Sequence, residues 1–346
     1  MNDSPSIELY GVLGHPVAHS LSPFIMNRAF RHAGIDAVYH RFDIPPDRLQ
    51  RAVDGLRTLG ARGANITYPF KEDVVDLIDV PTPDATLIGA VNTLVFLQGQ
   101  IVGHNTDATG AVAAIEQVAG MTPKDRHFFI FGAGGSARAA AVGLLRAGAH
   151  GVTFGVRTPR TAVGPIGRIR EAFPVQYVDI VPLGDEIARD DRERAFRRAE
   201  VVINATPAGM AQVAGSAAHA TGDTTDGPGG AAHATGGTAS GPGGAAHATG
   251  GTAAGPGGIS GTAGGSLIED PSWIRPDQYF FDFVYYPGRT EFLETASKQG
   301  AGVIGGAALL VCQAAGSFRQ WTGNDFDTAA MLEALETAFP ERTLSP

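Results

Sequence analysis

Residues 128–145 constrain the fold of this chain more than any other stretch. They read Phe128-Phe-Ile-Phe131, then Gly132-Ala133-Gly134-Gly135-Ser136-Ala137, then Arg138–Leu145. A short apolar run ending in glycine predicts a buried strand over His127–Phe131, and the alanine- and leucine-rich run after it predicts a helix over Gly135–Ala147. Between them stands G-x-G-x-x-A. Gly132 permits a tight turn, Gly134 lets backbone approach a pyrophosphate, and the small Ala137 lets helix and strand pack closely. The helix start adds N–H donors and a positive dipole. The alternative, an ordinary glycine-rich turn, lacks a reason for the strand-turn-helix context. Gly132, Ala133, Gly134, Gly135, Ser136 and Ala137 are therefore candidate cofactor-binding residues.

The next predicted strand, Val152–Val156, selects the cofactor. Dinucleotide folds that take NAD place an acid at its end, on the ribose hydroxyls. Here it runs into Arg157, Thr158 and Arg160 with no acid. A guanidinium forms charge-assisted bonds to a 2′-phosphate that a carboxylate would repel. NADP is favoured over NAD. The bland alternative is two solvated arginines at a helix start.

Around this unit the chain alternates strand-like and helix-like segments. Before it come strands at Ile7–Leu13, Ala37–Ile44 and Arg62–Ile66, a helix at Leu21–Ala33, and a further helix from about Pro69. Val91–Leu97 and Gln100–His104 flank Gln98-Gly99 as a hairpin. After the glycine motif come strands at Val175–Ile180, Val201–Asn204 and Tyr279–Val284, then helices at Ala307–Trp321 and Ala329–Phe339. Alternation implies parallel sheets with right-handed crossovers. The expected class is α/β: two α/β domains, one with a mostly parallel sheet and one Rossmann-type, with a cleft between them.

Residues 211–266 break the pattern. They contain no aromatic residue, Lys or Arg, and their only charges are Asp223 and Asp226. GPGGAAHATGGTA recurs with a period of 14, repeating His219, His233 and His247. Such a segment cannot bury enough apolar area to offset its ordering entropy, so a disordered insertion is expected. The three histidines sit in a glycine-rich coil and form no preorganised metal site.

Bulk composition narrows the function. The 346 residues suffice for two domains. Thirty-five acids against 26 bases give a net charge of −9, and no dense Lys/Arg run appears, which argues against nucleic-acid binding. An anionic substrate must be held by a few local donors. The single cysteine, Cys312, rules out an intrachain disulfide and reads as a core residue. The opening residues MNDSPSIELYG lack a basic region followed by an apolar stretch, and no run is long enough to span a bilayer. A cytoplasmic protein, monomer or homodimer, is expected, with no membrane partner.

Four polar motifs lie at predicted strand ends: Ser20-Leu-Ser22, Asn65-Ile-Thr67-Tyr-Pro69-Phe-Lys71, Gly89-Ala-Val-Asn92-Thr93 and Asn105-Thr-Asp107. Strand C-termini in α/β sheets line ligand crevices. Each motif read singly is better explained by capping: Ser20 or Ser22, Thr67 and Asp107 are all suitable N-caps. Together they supply hydroxyls, amides, one ammonium and one carboxylate, a set suited to a polyhydroxylated carboxylic acid.

With GHPVAHSLSP, NITYPFK, GAVNT, NTDATG, FGAGGSARA, VRTPR, NATPAGM, DFVYYP and Gln313 in LLVCQAAGSFRQWTG in one order, the chain resembles the shikimate dehydrogenase family over nearly its whole length outside the insertion. The resemblance implies an NADPH-dependent reduction of 3-dehydroshikimate to shikimate. It implies a substrate domain of residues 1–107 plus 306–346 and an NADP domain of 108–305. By position, Ser20 and Ser22 correspond to the pair on the substrate carboxylate. Asn65, Thr67, Asn92, Tyr285 and Gln313 correspond to its other ligands, and Lys71 and Asp107 to the catalytic pair. Asn204, Thr206 and Met210 correspond to groups on the nicotinamide side. Two departures are visible: Val156 stands where the family often has Asn, and Leu309 where it has Met. A quinate or quinate/shikimate dehydrogenase using NAD is an alternative, as is a catalytically silent ligand-binding homologue. Arg157 argues against the first, and the retention of Lys71 and Asp107 against the second.

Overall fold

The computed structural model describes residues 7–210 and 266–343, which belong to one compact unit built on two sheets. The expected insertion, with its three histidines, lies outside the described residues except for Ser266.

The first sheet is six-stranded. Its strands are β1 (Glu8–Gly14), β2 (Ala37–Asp43), β3 (Gly63–Ile66), β4 (Val80–Pro81), β5 (Thr93–Leu97) and β6 (Gln100–His104), in the order β2-β1-β3-β5-β6-β4. The β1–β2, β1–β3 and β4–β6 pairs are parallel, while β5 runs antiparallel to β3 and β6. The hairpin turn is where the sequence places it. Gln98 and Gly99 have φ of 50° and 83°, the two left-handed residues that a twist-compatible two-residue turn needs.

The second sheet has the order β12-β11-β10-β7-β8-β9 and is wholly parallel. Its strands are β7 (His127–Phe131), β8 (Gly151–Val156), β9 (Tyr177–Pro182), β10 (Val201–Asn204), β11 (Tyr279–Asp282) and β12 (Gly302–Ile304). Strands β8 and β10 are buried along their full length, as expected where helices cover both faces.

The helices are α1 (Ser22–His32), α2 (Leu49–Thr58), α3 (Pro83–Ile88), α4 (Asp107–Ala119), α5 (Gly135–Arg146), α6 (Pro159–Ala172), α7 (Arg189–Arg198), α8 (Glu291–Lys298), α9 (Gly306–Thr322) and α10 (Thr328–Ala338). Helix α9 comes back to the first sheet, where Phe318 meets Phe30 and Trp321 meets Tyr10, with ring centroids 5.3 and 5.0 Å apart. Trp321 fits because β3 has Gly63 beneath it, and its indole N–H donates to Leu94 O at 2.9 Å. Helix α4 joins the two halves. A Cβ on Gly110 would lie 2.8 Å from Gln313 N of α9, and one on Gly143 of α5 would overlap Ala108 O of α4. Glycine at both contacts lets the three helices pack at backbone distance.

One local expectation fails. No α-helix starts at Pro69. Residues 68–72 form turns, and a short 3-10 segment spans Asp73–Leu77. No side chain caps this segment, and Ile78 is already extended, so the one favourable signal, Pro69, has no helix to open.

Candidate active site

The polar motifs gather where the C-terminal ends of β3 and β6 face the start of α5. Lys71 leaves the turn after β3, and its Nζ donates to Asp107 Oδ2 at 2.6 Å. Asp107 is the first residue of α4, but its carboxylate does not cap that helix. Its other oxygen accepts from Asn92 Nδ2 at 2.7 Å. The Lys71 side chain is 21% exposed and that of Asp107 6%, so the carboxylate is buried and the ammonium reaches the open side. Lys71 Nζ also lies 3.1 Å from Ser136 Oγ, in the glycine-rich loop of the other half.

Behind the pair runs a buried polar chain. Asn92 donates to Thr106 Oγ1 at 3.0 Å and to Gln313 Oε1 at 3.5 Å. Asn65 donates to Ser317 Oγ at 2.8 Å, to Thr93 Oγ1 and to Asn92 O, and accepts from Tyr39 OH at 2.7 Å. Ser317 also meets Thr93 Oγ1 at 2.8 Å. In so dry a setting each of these groups needs its partner, which fixes the rotamers of Asn92 and Asn65. The sequence reading missed Ser317, Thr93, Thr106 and Tyr39. Thr93 and Thr106 stand inside the quoted motifs, whereas Ser317 carries no motif signal.

In the same half, next to Tyr39, Ser20 Oγ donates to Ser22 Oγ at 3.2 Å and accepts from Ser22 N at 3.3 Å. Neither serine is the N-cap of α1. Leu21 takes that position without a side-chain bond, so both hydroxyls are buried beside the helix start. Thr67 is half-buried at the end of β3, over Gly14, where a Cβ would collide with the Thr67 methyl. Tyr285 follows β11 and packs on the apolar cluster of Leu21 and Ile25. Burial pushes its hydroxyl up to about 12.

The glycine-rich loop has the conformation its residues require. Gly132 has φ of 102°, and a Cβ there would press on Thr206 Cγ2 at 2.9 Å. A Cβ on Gly134 would meet nothing within 4 Å. This open cradle at a helix N-terminus fits a dinucleotide pyrophosphate. Ala137 is fully buried against the sheet. Arg157 and Thr158 follow β8 and Arg160 stands in the first turn of α6, all three on the outer surface, as a 2′-phosphate site requires. Asn204 is fully buried. Its amide donates to Ala208 O and Asp282 Oδ1 and accepts from the Thr206 hydroxyl. It shapes the loop that carries Thr206 toward Gly132. Met210 is half-exposed at the last described position before residue 211. Leu309 is buried in the first turn of α9. Cys312 is a core residue, with its thiol pushed up to about 11 by burial.

One cross-connection was not legible in the sequence. Arg138 of α5 is 5% exposed and donates to Ile88 O and Ala133 O, both at 2.7 Å, and to Gly89 O at 3.3 Å. It also pairs with Glu72 at 3.2 Å, and Glu72 accepts from Gly135 N at 3.1 Å. Lys71 and Glu72 thus dock on Ser136 and Gly135, fixing the turn after β3 against the glycine-rich loop.

An ammonium–carboxylate pair set beside a glycine-rich nucleotide loop, on two α/β halves, defines a dinucleotide-dependent oxidoreductase. Comparison with known proteins narrows the class. The model of the shikimate dehydrogenase substrate binding domain matches residues 12–94, and that of the shikimate 5'-dehydrogenase C-terminal domain matches residues 306–336. The chain is 34% identical over 340 residues to the shikimate dehydrogenase (NADP(+)) of Moorella thermoacetica, covering 96% of this chain and 94% of that one. It is similar to shikimate 5-dehydrogenase from Thermus thermophilus in complex with NADP(H) and shikimate, with a TM-score of 0.69 and 28% identity over 96% of this chain and 100% of that one. It is also similar to quinate dehydrogenase from Corynebacterium glutamicum in complex with NAD, with a TM-score of 0.71 and 25% identity over 96% and 99% of the two chains. The chain belongs to the shikimate dehydrogenase family.

Proposed function

We propose that this protein catalyses the reversible, NADPH-dependent reduction of 3-dehydroshikimate to shikimate, a step of aromatic amino acid biosynthesis. The observation that carries the reading is the Lys71–Asp107 pair at 2.6 Å, with its ammonium held 3.1 Å from Ser136 of the cofactor loop. When bound, NADPH would supply the hydride that the carbonyl carbon receives. The protein's task is to orient the ketone and to manage the charge that develops on its oxygen.

Lys71 is assigned that task. Its Nζ stands at the open side of the pair, where it donates a hydrogen bond to the developing alkoxide and then a proton. Asp107, held by Asn92, orients the ammonium and exchanges the proton with it. Ser20 and Ser22 take the substrate carboxylate, and Asn65, Thr67, Asn92, Tyr285 and Gln313 surround the ring hydroxyls. Gly132–Ala137 hold the pyrophosphate, Arg157, Thr158 and Arg160 the 2′-phosphate, and Thr206 and Met210 face the nicotinamide side, with Asn204 ordering their loop. Residues 1–107 with 306–346 form the substrate domain and 108–305 the cofactor domain. We assign it a cytoplasmic site of action; separately, no described helix is long and apolar enough to cross a membrane.

A nicotinamide absorbance assay with purified protein tests the reading. Shikimate with NADP should reduce the cofactor, at a rate well above that with quinate or with NAD. Equal use of quinate would replace this reading with the quinate dehydrogenase one, and no turnover with either acid would leave only a binding protein.

A further inference from the structure

Two hydroxyls do not by themselves select an anion. Ser20 and Ser22 can donate equally well to an ester, an amide or a carboxylate, so any preference for charge needs a fixed cation nearby. The loop that carries them has two. Arg41, on β2, donates its Nε–H to Ser20 O at 2.8 Å. Arg342, at the far end of the described chain, donates from Nη1 to His19 O at 3.0 Å. Two guanidinium groups, brought in from distant parts of the sequence, thus rest on adjacent carbonyls of the serine loop.

Their charges are poorly neutralised. Among the described residues Arg41 has no carboxylate partner, and Asp43, next along its strand face, bonds His15 Nδ1 at 2.7 Å instead. The Arg342 side chain is only 23% exposed, and its Nε is buried with no hydrogen-bond acceptor among the described residues. Glu341 approaches that Nε to 3.5 Å without aligning on it, and its own side chain is largely exposed. The Arg342 guanidinium lies 4.7 Å over the ring of Tyr286, next to the expected substrate ligand Tyr285. Neighbouring groups register the field. Burial raises the Tyr285 hydroxyl, and both arginines pull against that rise. Burial, Arg342 and Arg41 lower His19, with Asp43 pulling the other way. A chain with a net charge of −9 therefore holds a local positive field at its serine pair.

We propose that Arg41 and Arg342 are specificity-determining residues that make the Ser20–Ser22 end of the site select a carboxylate over a neutral group of the same shape. The proposal rests on the assignment of the two serines given above. Arg342, largely buried, carries most of the effect. Arg41 is exposed, so solvent and salt screen it and its share is smaller.

The test compares kcat/KM for shikimate and for shikimate methyl ester, a neutral analogue with the same ring, in the wild type, Arg41→Gln, Arg342→Gln and Arg342→Lys. The wild type should prefer the acid. Arg342→Gln should reduce that preference by about tenfold or more, through the KM for the acid with kcat largely kept. Arg41→Gln should reduce it a few-fold, and Arg342→Lys should recover part of the loss. If the wild type discriminates and neither glutamine variant changes the ratio, the arginines have no such role, although the serine assignment stands. A parallel fall in acid and ester turnover would also overturn the proposal, since it would mean that the arginines only shape the loop. If the wild type uses both compounds equally, the site does not select charge and the proposal fails, while the serine assignment, which either group satisfies, is untouched. The serine assignment itself fails if Ser20→Ala leaves the KM for both compounds unchanged. Should Arg342→Gln not fold, Arg41→Gln and the salt dependence of the wild type decide: the KM for the acid should rise with ionic strength and that for the ester should not.

Discussion

The ammonium of Lys71 and the hydroxyl of Ser136 lie 3.1 Å apart, although one belongs to the turn after β3 and the other to the glycine-rich loop at the start of α5. The residue proposed to protonate the product is therefore in register with the loop proposed to hold the cofactor. Lys71→Ala should lower kcat by at least about 10²-fold, the low end for loss of a positioned acid–base group. Substrate KM should change far less, because an alkoxide donor acts mainly in the transition state. Steady-state kinetics with a thermal midpoint would check this, and an unchanged kcat would remove Lys71 from the mechanism.

Arg157 is exposed after β8 and has no acid beside it in sequence. Arg157→Ala should raise KM for NADPH by about one to two orders of magnitude, the loss of a charge-assisted bond of about 1.5–3 kcal/mol. NADH turnover should hardly move. Equal losses with both cofactors would show that Arg157 does not read the 2′-phosphate.

Arg138 satisfies three backbone carbonyls from a nearly dry position. Arg138→Met strands those acceptors and should cost about 2–4 kcal/mol of stability in urea unfolding. Glu72→Gln should cost less than about 1 kcal/mol, since the Glu72 side chain is 54% exposed and keeps an oxygen for Gly135 N. A stable Arg138→Met variant would show that the carbonyls find water instead.

Asp282 is fully buried, and burial raises its carboxyl from 3.8 to about 6, against the opposing bonds from Thr290, Val284 and Asn204. A folded-state value above the unfolded one favours folding at low pH, and that contribution is lost as pH rises through about 6. A rise of this size corresponds to about 3 kcal/mol as an upper bound. Between about pH 4 and 6 the wild type should therefore lose stability relative to Asp282→Asn, as read from unfolding at each pH. Parallel profiles would mean that the three donors already hold the carboxylate ionised.

The Cys312 thiol, buried in α9 and raised to about 11, should be inert to thiol reagents at about pH 8 until the protein is unfolded. Labelling of the native protein at the rate of a free thiol would show that α9 opens.

Much of the fold can be read from the sequence because period and punctuation agree there. Phe128–Phe131, the glycines after them and the run beyond leave one assignment, and β7 and α5 begin where expected. Reading fails where a local signal is borrowed by something distant. Pro69 looks like a helix start, but the turn it occupies serves Lys71 and Glu72. At the site, Lys71, Asp107 and the amides stand in ordered motifs. Ser317, Arg138 and Arg342 take their meaning from partners far along the chain, and no local pattern carries such information.

Because α9 completes the first sheet from the far end of the chain, the order of synthesis matters. A ribosome makes Tyr10, Phe30 and Tyr39 early, but Phe318 and Trp321, which cover them, come late. At about 5–20 residues per second, the delay is on the order of tens of seconds. During that time an aromatic sheet face is uncovered on the nascent chain, although all strands of the second sheet are made before α9 emerges. Nascent chains stalled before Gly306 should therefore recruit holdase chaperones to their N-terminal sheet, and chains released beyond Thr322 should shed them. A helix made this late decides when the proposed substrate site first exists.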